Sequence, residues 1–183
     1  GDAYLEALKQ VNDHIGESIL SLYETGAMSG LTEVLFIERC LNLLKPGGRM
    51  GIVLPEGVLN NTNLQKIRDF VESKAKIMLV VSIPQDVFIA SGATVKPSLL
   101  FFRKFTEEEA TLYATITDDA RAEAVAPYLS ELEDIDLKLA TRGKDAVSKE
   151  DKKRLKIRRK DIETIIETET KKLVKERFDY QIP

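Results

Sequence analysis

The spacing of apolar residues predicts amphipathic helices that alternate with short strands in the first part of the chain. Apolar residues recur at intervals of three and four between Thr32 and Lys45, which is the pattern of one helix face. Residues 46–48, Pro-Gly-Gly, end this helix, because proline cannot continue it and glycine takes the positive φ that reverses the chain. A second helix is predicted from Thr62 to about Lys74, opened by a capping box of Thr62 and Gln65.

Three apolar runs predict strands around these helices. The runs Met50 to Leu54 and Lys76 to Ile83 have no polar alternation, which favours parallel strands covered on both faces. Strand, helix and strand in this order favour a right-handed parallel unit. The run "PSLLFFRKF" (97–105) follows without a crossover helix and so most simply pairs antiparallel with a neighbour. Residues 111–117 predict a short edge strand. The fold class expected is therefore α/β.

The remainder of the chain has a different pattern. Beyond residue 117 no run indicates a strand, and residues 149–177 predict a long charged helix. We therefore expect two regions, residues 1–117 with the sheet and residues 118–183 as a charged helical extension. A further helix, interrupted near Gly16, is indicated within residues 2–24.

Charge is distributed unevenly along the chain, with an excess of cations towards its C-terminal end. Residues 1–140 carry 13 Lys and Arg against 21 Asp and Glu, whereas residues 141–177 carry 14 against 8. The run "KKRLKIRRK" (152–160) holds seven cations and no acid. Two interpretations stay open: the run contacts DNA phosphates, or it is solvated and pairs with the acidic region before it. The absence of interleaved aromatic residues argues against single-strand binding.

Composition limits the class of protein. The chain has 183 residues, 43% of them hydrophobic and 31% charged, and no apolar run approaches the roughly 18 residues of a membrane span. Cys40 is the single cysteine, so an internal disulfide is excluded and a cytoplasmic location is expected. One cysteine and one histidine, His14, cannot supply a usual zinc site, so no metal is predicted.

Two segments carry a resemblance to a known family. They read "LTEVLFIERCLNLLKPGGRMGIVLPEGVL" and "VSIPQDVFIASGATVKPSLLFFRK", within residues 31–105, and the closing "ERFDYQIP" adds to them. The chain resembles the N6-adenine DNA methyltransferase domain of type I restriction-modification methylation subunits. The resemblance implies a partial class I methyltransferase sheet, strands five to seven with the last antiparallel, plus a C-terminal helical region. It also implies methyl transfer from S-adenosylmethionine to adenine in DNA, alongside specificity and restriction subunits.

Two motifs of that family do not occur in the sequence. The family binds the methyl donor at a Gly-rich loop after its first strand and activates adenine with an Asn/Asp-Pro-Pro-Tyr/Phe loop after its fourth. This chain has its Pro-Gly and Gly-Gly pairings at residues 46–48 and no Pro-Pro dipeptide. We therefore expect the C-terminal half of a catalytic domain, inactive by itself. A half-domain of this kind is expected to self-associate through the edge at Met50 to Leu54 or through helices at residues 2–45.

The resemblance assigns candidate site residues in two loops. Phe88 matches the position of an aromatic residue that stacks on an extruded adenine, and the alternative is a side chain folded into its own loop. Small hydroxyl residues and one cation suit contacts with DNA phosphates, although such clusters also build tight loops; they are Ser91, Thr94 and Lys96, with Gly92 between them.

The loop after the first strand supplies the other candidates, because ligands of open α/β sheets bind beyond the carboxyl ends of parallel strands. Asn60 and Asn61 could contact DNA there, but helix capping and turn formation are the preferred interpretation. Glu56 lines the cleft or is solvated.

A second class of function stays open. The chain could be a non-catalytic α/β module that binds a partner subunit or nucleic acid through its basic helix. A Gly-rich loop and an Asn-Pro-Pro-Phe-like tetrapeptide encoded upstream of this sequence would favour the methyltransferase.

We expect this chain alone not to bind S-adenosylmethionine, because it has no Gly-rich loop to hold the donor. Isothermal titration calorimetry measures this directly. A dissociation constant near or below micromolar would contradict the interpretation as half of a catalytic domain.

Overall fold

The computed structural model describes residues 1–92, 94–142 and 147–180. They form two compact units, Gly1–Glu108 and Glu109–Tyr180. Each unit has its own hydrophobic cluster of buried side chains.

The first unit is built on a three-stranded sheet. Its strands are β1 (Arg49–Pro55), β2 (Ala75–Ser82) and β3 (Pro97–Lys104), in the order β1-β3-β2. β3 is antiparallel to both neighbours, so β1 and β2 run in the same direction without pairing with each other. The predicted α/β class and the antiparallel last strand are confirmed.

The helices of the first unit follow the predicted order, with one additional short helix at Glu56–Asn60, in a segment expected to be a loop. The four α-helices are α1 (Asp2–Asp13), α2 (Thr32–Leu43), α3 (Glu56–Asn60) and α4 (Gln65–Glu72). Single 3₁₀ turns or short 3₁₀ helices span Ile19–Leu22, Glu24–Ala27, Thr62–Leu64 and Gln85–Ser91. Gly16 has a φ of 89° just beyond α1, which confirms the predicted interruption.

Helix packing covers one face of the sheet. Leu54 of β1 and Leu100 and Phe102 of β3 are buried together with residues of α2, α3 and α4. On the opposite face Val53 is 52% exposed and Leu79 is 45% exposed. The prediction that the strands are covered on both faces is therefore wrong for this chain. An apolar run indicates that a strand tends to be buried, but it does not tell whether helices pack on one face of the sheet or on both.

The capping box predicted for the second helix is not formed. Asn61, not Thr62, caps the segment, since its Oδ1 accepts a hydrogen bond of 2.9 Å from the Asn63 N–H. The Gln65 amide instead donates to Asp69. The capping box of Thr62 and Gln65 is therefore wrong, and Asn61, for which capping is the preferred interpretation, supplies the cap.

The second unit is helical. Its helices are α5 (Glu107–Val125, which begins in the first unit), α6 (Leu129–Ala140) and α7 (Lys149–Arg177), with a 3₁₀ turn at Ala126–Tyr128. Their shared core contains Ala124, Ile135, Ile162 and Ile166. The long charged helix predicted at residues 149–177 is confirmed.

The edge strand predicted at residues 111–117 is wrong, because this segment lies inside α5. Its β-branched residues favoured a strand, but that preference is weak and depends on context. The Thr115 and Thr117 hydroxyls donate to the carbonyls of Thr111 and Tyr113, one helical turn earlier. Threonine is accommodated in a helix in this way.

The outer side of β1 bears on the expected self-association. In the described part of the chain β1 pairs with β3 alone. Self-association through this edge stays a prediction. A separate finding is that no helix within residues 1–92, 94–142 and 147–180 is long and apolar enough to cross a membrane.

Arginine residues of the basic run join α7 to α6. Arg158 donates to both carboxylate oxygens of Glu131, at 2.7 and 3.0 Å, and Arg159 donates to Asp136 at 2.8 Å. The hydrogen bond from Arg158 holds the pKa of the Glu131 carboxyl below its usual value. For these two arginines, the interpretation as a helix that pairs with the acidic region is confirmed.

We expect Arg158→Ala to lower the melting temperature at neutral pH and to matter less in acid. A carboxyl whose pKa is depressed by folding stabilises the fold above its unfolded pKa, and this contribution is lost as the pH falls through the folded pKa. The difference in melting temperature from the wild type should therefore shrink as the pH falls below 4.5, the ordinary pKa of Glu131. Circular dichroism melts across this range test it, and a constant difference would contradict it.

Candidate functional site

Two loops meet at the edge where β1 and β2 end. Because both strands run in the same direction, their carboxyl ends lie at one edge, and β3 begins there. The Glu56 N–H donates to the Lys96 carbonyl at 2.9 Å, and the Ile83 N–H donates to the Pro97 carbonyl at 3.1 Å. The backbone therefore ties the start of each loop to the segment that enters β3.

An ion pair links the two loops at this edge. Lys96 Nζ lies 3.0 Å from Glu56 Oε1, and both side chains are partly exposed. A pair of this kind contributes about 0–1 kcal/mol to stability. Lys96 can therefore exchange Glu56 for a phosphate oxygen at little cost. The structure brings together two residues that the sequence analysis treated separately.

The loop after β2 is a short 3₁₀ helix followed by a turn. Gln85 Nε2 donates to the Thr94 carbonyl at 2.7 Å, which closes the loop on itself. Gly92 ends the 3₁₀ helix with a φ of 81°, a conformation that strains any residue with a Cβ. Thr94 is exposed. The 3₁₀ helix ends at Ser91, whose side chain lies outside the described part of the structure.

Phe88 lies within that 3₁₀ helix and is partly buried. Its neighbours Val87 and Ile89 are 53% and 59% exposed. The helix thus carries apolar side chains into solvent at the edge where ligands of such sheets bind. Sequence reasoning named Phe88 but missed its neighbours, although three consecutive apolar residues in a polar loop were a visible signal.

The loop after β1 is fixed by Arg68 of α4. The Arg68 guanidinium donates to the Val58 carbonyl at 3.1 Å, to the Asn61 carbonyl at 2.8 Å and to Gln65 Oε1 at 2.6 Å. It thereby satisfies backbone acceptors at the end of α3. Sequence reasoning missed Arg68, because backbone acceptors leave no mark in a sequence.

Asn60 and Asn61 differ in their environment. Asn60 is exposed at the end of α3, whereas Asn61 uses its Oδ1 as the cap for Thr62–Leu64. Capping, the preferred interpretation, is confirmed for Asn61. Contact of either residue with DNA stays a prediction.

The glycine pair of this chain lies at the other end of β1. Gly47, with a φ of 73°, precedes β1, and its N–H approaches the carbonyls of Lys104 and Phe105 at 3.2 and 3.1 Å. The pair therefore shapes a turn at the edge opposite the candidate site. The described residues of the candidate site do not form a Gly-rich loop of the kind that holds S-adenosylmethionine.

The part of the chain that the structure describes contains no candidate metal site. Among those residues no group of three or more His, Cys, Asp or Glu side chains could hold an ion.

Most of the chain matches a known family of methylases. The N-6 DNA Methylase family matches residues 21–181, and the chain belongs to that family. The predicted family resemblance is confirmed.

Individual relatives match over shorter stretches. The type I restriction enzyme EcoKI methylase subunit of Escherichia coli K12 is 31% identical over 91 residues, which is 48% of this chain and 16% of that protein. The defense against restriction protein B of Escherichia phage P1 is 28% identical over 75 residues, 41% of this chain and 3% of that protein. The chain thus aligns with a small part of the curated relatives it matches.

A solved structure also matches in part. A Listeria monocytogenes protein, assigned to the class I S-adenosylmethionine-dependent methyltransferases, is 23% identical to this chain. The match covers 48% of this chain and 27% of that one, with a TM-score of 0.42.

We expect Arg68→Ala to destabilise the first unit by about 1–3 kcal/mol, since an acceptor at the buried Val58 loses its donor. Urea denaturation measures the free energy of unfolding. Lys66→Ala is the matched control, because Lys66 is an exposed residue of the same helix. Equal effects of the two substitutions would mean that Arg68 does not hold the loop.

Proposed function

We propose that this chain is part of a DNA adenine-N6 methyltransferase, the methylation subunit of a type I restriction-modification system. The observation that carries the proposal is that, in a chain of the N-6 DNA Methylase family, the loops after β1 and β2 meet at the carboxyl edge of the sheet. The match to an E. coli type I methylase subunit supports the assignment to a type I system.

In this proposal the loop after β2 receives the target base. An enzyme that modifies a base in duplex DNA rotates it out of the stack and holds it by stacking and hydrogen bonds. Stacking on one aromatic side chain contributes about 1–3 kcal/mol. Phe88 is assigned that role, whereas its exposed neighbours Val87 and Ile89 are not assigned a contact with the base.

Polar residues of the two loops are assigned to the DNA backbone. Lys96 and Thr94 are exposed in the segment before β3, and Asn60 is exposed at the end of α3. Ser91 and Asn61 complete the set of candidates. Contacts of this kind fix the register of a protein on DNA without reading its sequence.

The methyl donor would be held by another part of the protein. S-adenosylmethionine supplies the methyl group in this proposal, but neither a Gly-rich donor loop nor an Asn/Asp-Pro-Pro-Tyr/Phe loop occurs in this chain. The chain alone would therefore lack methyltransferase activity. Specificity and restriction subunits are the partners that a type I assignment implies.

Phe88→Ala in the complete methyltransferase tests the assignment. We expect methylation of duplex DNA to fall about 5- to 150-fold, which corresponds to the loss of 1–3 kcal/mol of stacking. DNA affinity should change little, because phosphate contacts dominate it. The measurements are the transfer of a labelled methyl group and the binding of the same duplex.

Ile89→Ala is the control for this test, because Ile89 is an exposed apolar residue of the same 3₁₀ helix. It should leave methylation within a few-fold of the wild type. Unchanged methylation in Phe88→Ala would show that Phe88 packs within its own loop and that the site assignment is wrong.

A further inference from the structure

Five lysines lie along one side of the first half of α7. They occupy positions i, i+3, i+4, i+7 and i+11, which share a helix face. They surround a shallow concavity of about 420 Å³ together with Ile157, and we call them the lysine face: Lys149, Lys152, Lys153, Lys156 and Lys160.

The lysine face is not neutralised by the chain's own described acids. None of its five members forms an ion pair with another described residue. The arginines of the same run behave differently, since Arg154 pairs with Glu150, Arg158 with Glu131 and Arg159 with Asp136. The arginines of the run therefore contact acids of this chain, whereas the charge of the lysine face is not balanced by an ion pair with a described residue.

We propose that the lysine face binds the phosphate backbone of duplex DNA. The choice of DNA as the polyanion rests on the proposed function. Five cations across eleven residue steps span roughly 16 Å, at 1.5 Å per residue. One DNA strand carries a phosphate about every 3.4 Å of its axis, so the charge on the two surfaces is comparable in density.

The lining of the concavity favours a DNA backbone over an acidic protein. A lysine ammonium is a flexible point charge that pairs with a phosphate without a fixed geometry, whereas the planar fork of arginine matches carboxylates and phosphates alike. Within residues 152–160 the arginines pair with carboxylates of this chain, whereas the lysines of the lysine face form no ion pair with a described residue. A protein interface also needs a buried apolar centre, and Ile157 is the one apolar residue that lines the concavity among those the structure describes.

The residue types also favour duplex over single-stranded DNA, and backbone over base contacts. Single-strand binding sites use aromatic side chains as stacking platforms, and no aromatic side chain among the described residues lines this concavity. Phosphate contacts carry no sequence information. Binding at the lysine face should therefore be independent of sequence and strongly dependent on salt.

The test compares two variants of the full chain with equal charge. In the first, Lys152, Lys153, Lys156 and Lys160 are replaced by Gln. In the matched control four exposed lysines elsewhere are replaced by Gln: Lys66, Lys138, Lys172 and Lys175. Fluorescence anisotropy with a labelled duplex of random sequence, titrated at several salt concentrations, gives the affinity and its salt dependence. Circular dichroism establishes that each variant is folded.

We expect the lysine-face variant to lose at least about 10-fold in affinity at low salt, with a slope of log K against log salt smaller by about 3–4. The control variant should retain most of the DNA affinity and most of its salt dependence. Replacement of the same four lysines by Arg should restore binding, because a backbone site needs the charge and not a particular head group.

Three results would overturn the proposal. They are equal losses in the two variants, no binding of duplex by the wild type, and binding of poly-glutamate as tight as that of DNA, which would indicate an acidic protein partner. Methyl transfer is not measured in this test, so its outcome is separate from that of Phe88→Ala. If the lysine-face variant loses DNA binding while Phe88→Ala methylates DNA as well as the wild type, the lysine face is supported as a DNA-binding surface. The assignment of Phe88 to base stacking is then wrong.

Discussion

The position of β3 between β1 and β2 is the constraint on which the first unit depends. Both outer strands hydrogen-bond to β3 and to no other strand among the described residues. Phe102 of β3 is fully buried, so the central strand also anchors the core. Since β3 is antiparallel to both neighbours, the carboxyl ends of β1 and β2 and the start of β3 share one edge. The candidate site exists because of this arrangement.

Local sequence signals predicted the strands and the direction of β3, but not its place in the order. Apolar runs and the missing crossover helix are visible in a sequence, whereas the choice of neighbour depends on contacts between distant residues. Gly51 illustrates this, because an added Cβ would lie 2.6 Å from Cε1 of Phe101 on the adjacent strand. From the sequence alone, a glycine at that position only suggests a less stable β1. The close contact with Phe101 on β3 explains why a larger residue would not fit there. The strand predicted at residues 111–117 is wrong for the opposite reason. There the local preference of β-branched residues for a strand is overridden by the surrounding helix α5.

The candidate site shows the same division between local and distant information. The loops and the position of Phe88 followed from short motifs, and the capping role of Asn61 followed from residue type. The ion pair of Glu56 with Lys96 joins residues 40 positions apart. Arg68 stabilises the loop after β1 through backbone carbonyls, which every sequence contains. Neither contact could be predicted, because both depend on the packed positions of α3, α4 and the end of the loop before β3.

The two surfaces assigned to DNA would make different contributions to one reaction. Exposed lysines bring cations to phosphates, which supplies affinity on any sequence. A stacking side chain accepts any base that leaves the duplex, since every base has a π face. Neither kind of contact distinguishes one duplex sequence from another, which requires hydrogen bonds to base edges or a response to DNA shape. On these proposals sequence discrimination falls to contacts other than the lysine face and the Phe88 loop.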